Sequence, residues 1–271
     1  KKVQNPMVLS LSDSFHGISS WGLITDRFHP ISDRLRYVPD NNWKNLPFEQ
    51  IEKYFLEEDL TNLVAFVLEP IRCTVGDKYV PHQQIRRIQQ LCHDNDICFI
   101  ADEVQTGFGV TGDMWYLNKL DITPDILIFG KKSQICGIIV SDKYSEAHKS
   151  SSKKLAVTFD GDLIDAVRGR FILRAYENDD LLNNAKNLSE IFRSYFEKRV
   201  MNYRSSGLLI AFDFETSVLR DKFVAAAYKY NLLCNPTGVS SVRIRPNMAI
   251  SKTEVDRAFE IFDLALMDVG Y

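Results

Sequence analysis

Short apolar runs alternate with amphipathic stretches up to about residue 160 of the chain. The apolar runs are MVLSLS (7–12), LVAFVLE (63–69), ICFIAD (97–102), ILIFG (126–130) and CGIIVSD (136–142). Each has the length of one strand, and the last three are short apolar runs of the kind that is buried in a sheet covered on both faces. The stretches FEQIEKYFLEE (48–58) and QQIRRIQQLCHD (83–94) instead repeat apolar residues at helical spacing. We therefore predict an α/β layer structure with a mostly parallel sheet.

The pattern changes after about residue 160, where longer helical stretches come before the strands. The predicted elements are helices at 162–178 and 181–200, a strand at 207–215, a helix at 222–231, a strand at 241–246 and a terminal helix at 252–266. This order is typical of an α+β module. We predict a large domain over residues 1–165 and a smaller C-terminal domain over residues 166–271.

Composition and charge narrow the class of protein. The chain has 271 residues, of which 45% are hydrophobic and 25% charged, and its formal net charge is −3. These values are typical of soluble globular proteins. Basic and acidic residues are balanced and interspersed, so we expect neither a nucleic-acid partner nor an anionic membrane partner. No apolar run approaches the ~20 residues needed to span a bilayer.

The five cysteines are scattered and include no CxxC pair. This distribution predicts neither a disulfide framework nor a zinc site, and we expect no metal. It also predicts a reducing compartment, with the cytoplasm as the first expectation and the mitochondrial matrix also allowed. The sequence begins KKVQNP, without an initiator methionine or a signal-peptide core. We expect it to be the later part of a longer protein.

Charged residues stand at the carboxyl ends of three predicted strands: Glu69, Asp102 and Lys131. Ligands bind beyond these ends in open α/β sheets. A lysine amine can form a Schiff base with a carbonyl cofactor, while a carboxylate can keep a pyridine nitrogen protonated. A plainer interpretation is also open, because an Asp in this place often caps a loop or helix and paired lysines are usually solvated. Spacing alone does not decide between the two.

The exact amino-acid sequences of several segments indicate a protein family more specifically than the spacing of single residues does. DEVQTGFGVTGDMW (102–115) and TPDILIFGKK (123–132) resemble the signature of the class III, or ornithine-aminotransferase-like, pyridoxal-phosphate enzymes. Further matches in the family's order are DSFHG (13–17), FVLEP (66–70), VTFDGDLIDAVRGRFIL (157–173) and SVRIRP (241–246). Within the family, FGKKSQICGIIVSD (129–142) looks most like the bacterial L-lysine 6-aminotransferases.

The resemblance implies fold type I of the pyridoxal-phosphate-dependent transferases. This is an α/β fold whose large domain has a mostly parallel sheet covered by helices, with a smaller C-terminal α+β domain. By the family's usual length, roughly a third of the protein would precede residue 1.

The resemblance also implies roles at the cofactor. Lys131 would form the internal aldimine with pyridoxal 5′-phosphate and, once the substrate displaces it, act as the base that moves a proton. Lys132 is its rival, but in the family the aldimine lysine directly follows the small residue at the strand end. Asp102 would pair with the pyridinium nitrogen, and Gln105 would donate a hydrogen bond to the phenolate oxygen of the ring.

Other family positions would complete the site. Phe15 would stack on the ring, and His16 is counted with it as cofactor-binding. Thr158 would donate its hydroxyl to the cofactor phosphate from the opposite subunit of a homodimer. Arg243 would bind a substrate carboxylate, and we expect its neighbour Arg245 at the surface.

Two acids receive supporting roles. Glu103 points to the opposite side of the strand from Asp102, because side chains alternate along an extended chain, and it is a structural acid in the family. Glu69 either supports a loop near the site or is purely structural.

Three departures from the family pattern concern substrate and cofactor. Ile18 stands where lysine aminotransferases have an arginine for the α-carboxylate, and Thr74 stands at a glutamate that gates the entrance arginine. The serine- and glycine-rich phosphate-binding turn is absent, because the sequence starts too late to contain it.

These departures keep two interpretations open. The first is an aminotransferase that moves the terminal amino group of an ω-amino acid to 2-oxoglutarate, with lysine the expected donor and ornithine-type donors next. The second is a catalytically impaired aminotransferase-like subunit with a structural or regulatory binding role.

Overall fold

A computed structural model describes residues 3–17, 43–146, 149 and 161–271. The chain divides into two compact units, each of which is described by itself. Unit 1 comprises the residues up to Arg72, Tyr79–Gln105 and Leu117–Ala166, and unit 2 comprises Cys73–Lys78, Thr106–Tyr116 and Val167–Tyr271. The predicted domain boundary at residues 165 and 166 stays a prediction.

The first half of the chain alternates strands with helices. In chain order the strands are β1 (Met7–Leu11), β2 (Trp43–Leu46), β3 (Leu63–Leu68), β4 (Ile71–Arg72), β5 (Lys78–Tyr79), β6 (Cys98–Asp102), β7 (Ile126–Phe129) and β8 (Gly137–Val140). The helices are α1 (Ile51–Glu57) and α2 (His82–Asp94). Six strands form the sheet of unit 1 in the order β2-β1-β3-β6-β7-β8. All neighbouring pairs are parallel except β7 and β8, so the predicted mostly parallel sheet is confirmed.

Side chains on one face of this sheet form the apolar core of unit 1, together with the helices that pack against them. Leu9, Phe66 and Phe99 are paired across β1, β3 and β6, and all three are fully buried. Helix α1 packs its Phe55 ring 6.2 Å from that of Phe66, and α2 buries the predicted stripe that includes Ile85. Because side chains alternate along a strand, the residues between these core positions lie on the opposite face.

The prediction for residues 136–142 was wrong in one respect. The run does form a strand, β8, but Ile138 and Ile139 are 46% and 50% exposed. The reason is position, since β8 is the edge strand of the sheet and pairs on one side only, with β7. An apolar run predicts a strand, but it does not tell a central strand from an edge strand.

The second half of the chain contains the predicted helices and strands in the predicted order, together with two strands that were not predicted, at Met201–Ser206 and Asn235–Thr237. Its helices are α3 (Leu163–Asn178), α4 (Leu181–Phe196), α5 (Ser217–Lys229) and α6 (Lys252–Asp268). Its strands are β9 (Met201–Ser206), β10 (Leu209–Asp213), β11 (Asn235–Thr237) and β12 (Ser241–Ile244), which form an antiparallel sheet in the order β11-β12-β10-β9. Buried phenylalanine rings fill the core of unit 2, with Phe196 5.1 Å from both Phe212 and Phe262.

Capping residues explain two helix starts in unit 2. Helix α5 begins at Ser217, five residues before the predicted start at residue 222. The reason is an N-cap, since the Thr216 hydroxyl accepts a hydrogen bond from the backbone N–H of Leu219. Helix α6 begins with a capping box, in which Ser251 and Glu254 exchange side-chain and backbone hydrogen bonds. None of the helices in the described ranges has a stretch long and apolar enough to cross a bilayer.

Candidate active site

A cavity of about 450 Å³ lies over the second face of the sheet of unit 1. Val67, Ile100 and Ile128, which alternate with the buried core positions of β3, β6 and β7, contribute to its apolar lining. The charged, polar and aromatic lining near the carboxyl ends of the strands includes Phe15, His16, Glu69, Asp102, Gln105 and Lys131. The sequence-predicted cofactor residues that the structure describes therefore line one cavity.

Asp102 is the last residue of β6, two positions beyond Ile100, so its carboxylate lies on the cavity face. It is 8% exposed. Its Oδ2 lies 2.8 Å from Nδ1 of His16, and its Oδ1 accepts a hydrogen bond from the backbone N–H of Val104 at 3.1 Å. Both carboxylate oxygens are therefore held in a fixed orientation toward the cavity.

Glu69 stands one residue after β3, beside Asp102 at the end of the neighbouring strand. It is 4% exposed, and its Oε2 accepts a hydrogen bond from the backbone N–H of Phe15 at 2.8 Å. Burial raises the pKa of Glu69 to about 8; the nearby charge of Asp102 adds to the rise, whereas Lys131 opposes it. The sequence alone had left open whether this acid belongs to the site.

Lys131 follows β7 and Gly130, and its backbone φ of +54° lies in the left-handed region that non-glycine residues rarely adopt. Its carbonyl accepts hydrogen bonds from the backbone and the side chain of Gln134, at 2.9 and 3.1 Å, which hold this turn. Strained backbone of this kind is concentrated at functional sites. Lys131 lines the cavity, whereas Lys132 is not among its lining residues.

Glu103 is turned away from the cavity, as the alternation of side chains predicts. Its side chain is buried, and Oε1 accepts a hydrogen bond from the backbone N–H of Leu117 at 3.0 Å. It thereby anchors the short 3₁₀ helix at Tyr116–Leu120. The two adjacent acids of the DEVQTG motif thus have different surroundings.

Unit 2 holds the predicted substrate arginine, in β12. Arg243 donates from Nη1 to the carbonyl of Cys73 at 3.3 Å, and the same carbonyl accepts a hydrogen bond from the Thr237 hydroxyl at 2.8 Å. Thr74, at the predicted gate position, accepts a hydrogen bond from the backbone N–H of Gly238 through its own carbonyl. No acidic side chain among the residues described pairs with Arg243.

The expectation that Arg245 lies at the surface was wrong. Its side chain is 18% exposed, and Nη2 donates to both carboxylate oxygens of Asp77, at 2.6 and 2.8 Å. The pair is formed over 168 residues of chain, so local sequence could not reveal it.

Two predicted positions, Thr158 and Ile18, lie outside the described residues. Within the described ranges, no group of three or more His, Cys, Asp or Glu side chains is arranged to hold a metal ion.

The cavity of unit 1 combines an amine, a fixed carboxylate, an aromatic side chain and an amide beyond the ends of parallel strands. These groups fit a planar, aldehyde-bearing pyridine: the amine can bond to the carbonyl carbon and the carboxylate can pair with the ring nitrogen. Fold and cavity together define a pyridoxal-phosphate enzyme of the α/β class.

Comparison with known proteins identifies the family. The class III aminotransferase model matches residues 3–266, and the chain belongs to this family, as predicted. L-lysine-epsilon aminotransferase of Amycolatopsis lactamdurans is 28% identical over 302 residues, covering 100% of this chain and 67% of that protein. The Mycobacterium bovis enzyme of the same name is 32% identical over 215 residues, covering 76% and 48%.

A solved structure agrees with these sequence matches. Lysine aminotransferase from M. tuberculosis in the internal aldimine form has a TM-score of 0.88 and 28% identity, covering 97% of this chain and 67% of that one. The chain thus spans about half to two thirds of the length of the relatives it matches. The fold prediction is confirmed, and the family's cofactor is pyridoxal 5′-phosphate.

Proposed function

We propose that the protein containing this chain moves the terminal amino group of an ω-amino acid to the keto acid 2-oxoglutarate. The observation that carries the proposal is the convergence of Lys131 and Asp102 on one cavity. Lysine is the proposed donor, with ornithine-type donors next, because relatives at 28% and 32% identity are lysine aminotransferases. The proposed compartment is the cytoplasm.

Lys131 and Asp102 have the central roles in this proposal. When bound, pyridoxal 5′-phosphate supplies a ring that withdraws the electron pair released at the substrate carbon. Lys131 is the proposed covalent anchor for the cofactor's carbonyl carbon and the base that moves a proton. Asp102 is the proposed partner of the protonated ring nitrogen, and its two hydrogen bonds orient the carboxylate in advance.

The remaining lining residues support this assignment. Phe15 is proposed to stack on the ring, and Gln105 to donate a hydrogen bond to the phenolate oxygen. His16 is proposed to act through Asp102, because its Nδ1 lies 2.8 Å from the carboxylate. Thr158 is proposed to bind the cofactor phosphate from the partner subunit of a homodimer.

Arg243 is the proposed ligand of a substrate carboxylate. Its guanidinium has a main-chain carbonyl as its hydrogen-bond acceptor, and it forms no ion pair with an acid in the described part of the chain. Its charge is therefore available to an anionic ligand, whereas the charge of Arg245 is matched by Asp77.

Reductive trapping tests the cofactor assignment. The full-length protein, loaded with pyridoxal 5′-phosphate and treated with borohydride, should carry the label on Lys131. Lys131→Ala should abolish labelling, and the matched variant Lys132→Ala should retain it. A label that maps to Lys132, or no label at all, would contradict the assignment.

Activity separates the proposal from its alternative, a catalytically impaired subunit with a binding role, which the threonine at position 74 favours. A panel of ω-amino acids is incubated with 2-oxoglutarate, and glutamate is measured. Glutamate formed from lysine supports the proposal, and no glutamate from any donor supports the impaired subunit. Sedimentation tests the homodimer, since a stable monomer that holds cofactor contradicts the role of Thr158.

A further inference from the structure

The segment from Ser12 to Gly17 carries three of the cavity's lining residues, Phe15, His16 and Gly17. It leaves β1 through a left-handed turn at Asp13, whose φ is +67°. The position of the segment decides where the Phe15 ring lies and whether His16 reaches Asp102. The groups that hold this segment therefore act on the cofactor site.

Two side chains grip the segment at two points. At Phe15, the backbone N–H donates to Oε2 of Glu69 at 2.8 Å. At Ser12, the backbone carbonyl accepts a bond from Nη1 of Arg72 at 3.3 Å. Glu69 and Arg72 stand three residues apart in the sequence EPIR, on the chain that leaves β3.

The two side chains also interact with each other, and with the cavity. Arg72 is near enough to Glu69 for its charge to lower the carboxyl's pKa, although burial dominates and raises that pKa to about 8. The charged groups that face Glu69 are Asp102, Lys131 and Arg72. At neutral pH Glu69 therefore keeps its proton to a large extent, and a neutral carboxyl can still accept the bond from Phe15.

We propose that Glu69 and Arg72 are positioning residues, a clamp that fixes the segment from Ser12 to Gly17 and through it Phe15 and the contact of His16 with Asp102. The catalytic meaning of the clamp rests on the proposed function. The clamp itself is a property of unit 1, and it can be tested without turnover.

Hydrogen exchange tests the clamp in the cofactor-free, full-length protein. Glu69→Ala and Arg72→Met should both speed amide exchange in peptides that cover residues 12–17. Two matched controls remove the same kinds of bond elsewhere in unit 1. Asp125→Ala removes a buried acid that accepts the backbone N–H of Phe99 at 2.8 Å, and Arg86→Met removes a guanidinium that donates to the carbonyl of Leu120 at 2.5 Å. Neither control should change exchange in residues 12–17.

Cofactor binding tests whether the clamp serves the site. Affinity for pyridoxal 5′-phosphate should fall about three- to tenfold in Glu69→Ala and Arg72→Met, the range expected for one lost hydrogen bond. Glu69→Gln keeps an acceptor for the Phe15 N–H, so its affinity should stay within about twofold of the original.

The outcomes distinguish this inference from the proposed function. Unchanged exchange in residues 12–17 in either clamp variant overturns the clamp. Faster exchange in Glu69→Ala and Arg72→Met with unchanged cofactor affinity overturns the role of the clamp at the site. Absence of glutamate formation with intact cofactor binding overturns the proposed function and leaves the clamp standing.

Discussion

Replacing Arg245 with methionine is expected to lower the free energy of unfolding of unit 2 by about 3–5 kcal/mol, the usual cost of breaking a buried ion pair. The substitution leaves the Asp77 carboxylate, whose side chain is 1% exposed, without its cation. At about 4 Å and an effective dielectric constant of about 20, the attraction between two unit charges is about 4 kcal/mol. Nη1 also donates to the carbonyls of Ile210 and Ile244, at 3.0 Å each, and these bonds are lost too.

A second substitution tests whether the uncompensated charge is the cause. Asp77→Asn in the Arg245→Met background removes the charge and should restore about 2 kcal/mol, because a neutral amide is far easier to bury than a carboxylate. Asparagine suits this position, where φ is +50°, since it tolerates the left-handed region.

Urea unfolding of the single and double variants measures these values. The control is Lys252→Met, which breaks a 2.8 Å pair with Asp256 whose side chains are 71% and 53% exposed, and it should cost less than about 1 kcal/mol. If Arg245→Met costs no more than this control, or if Asp77→Asn restores nothing, the reasoning is refuted.

Three further predictions concern pH, backbone and thiols. The cofactor-free protein should lose stability as pH rises from about 4.5 to 8. The cause is buried Glu69, whose pKa is raised to about 8, because its carboxyl keeps a proton that the unfolded chain has released. Urea unfolding of Glu69→Gln should show a flatter pH profile over this range. Gly207→Ala should lower the free energy of unfolding by about 3 kcal/mol or more, whereas Gly270→Ala should lower it by about 1 kcal/mol. Both glycines have positive φ, but an added Cβ would overlap the Val110 carbonyl at Gly207, whereas it would meet nothing within 4 Å at Gly270. If thermal unfolding shows equal destabilisation in the two variants, the packing argument is contradicted. Of the chain's five thiols, all of them in described ranges, Cys136 alone is exposed and should react rapidly with Ellman's reagent; a second fast thiol would show that a cysteine taken as buried is accessible.

The residues of the candidate site could be predicted where short stretches of sequence indicate their positions. Asp102 and Lys131 could be placed at strand ends, because apolar runs end just before them. The resemblance of the DEVQTG and FGKK segments to the family then predicted a cofactor contact for Gln105 and the covalent role for Lys131 rather than Lys132. These roles stay predictions, although the cavity brings Asp102, Gln105 and Lys131 together.

The supporting contacts could not be predicted in the same way. Glu69 reaches Phe15 across 54 residues, and Arg72 reaches Ser12 across 60. The sequence offers only an acid and an arginine three residues apart after a strand. A signal was nevertheless present, since Glu69 directly follows β3 and Asp102 ends the neighbouring strand β6, and the same alternation of side chains applies to both.

By itself, the sequence determined the helices, the interior strands of both sheets, the family and the residues at the strand ends, because periodicity and local motifs encode which face each side chain takes. The strands β2, β4, β5, β9 and β11 were not predicted. The tertiary structure decided what the side chains meet. It made β8 an edge strand with exposed isoleucines, paired Arg245 with Asp77, and aligned Glu69 beside Asp102. The physical reason is that strand order and pairing register are set by contacts between segments distant in the chain, which no local pattern specifies.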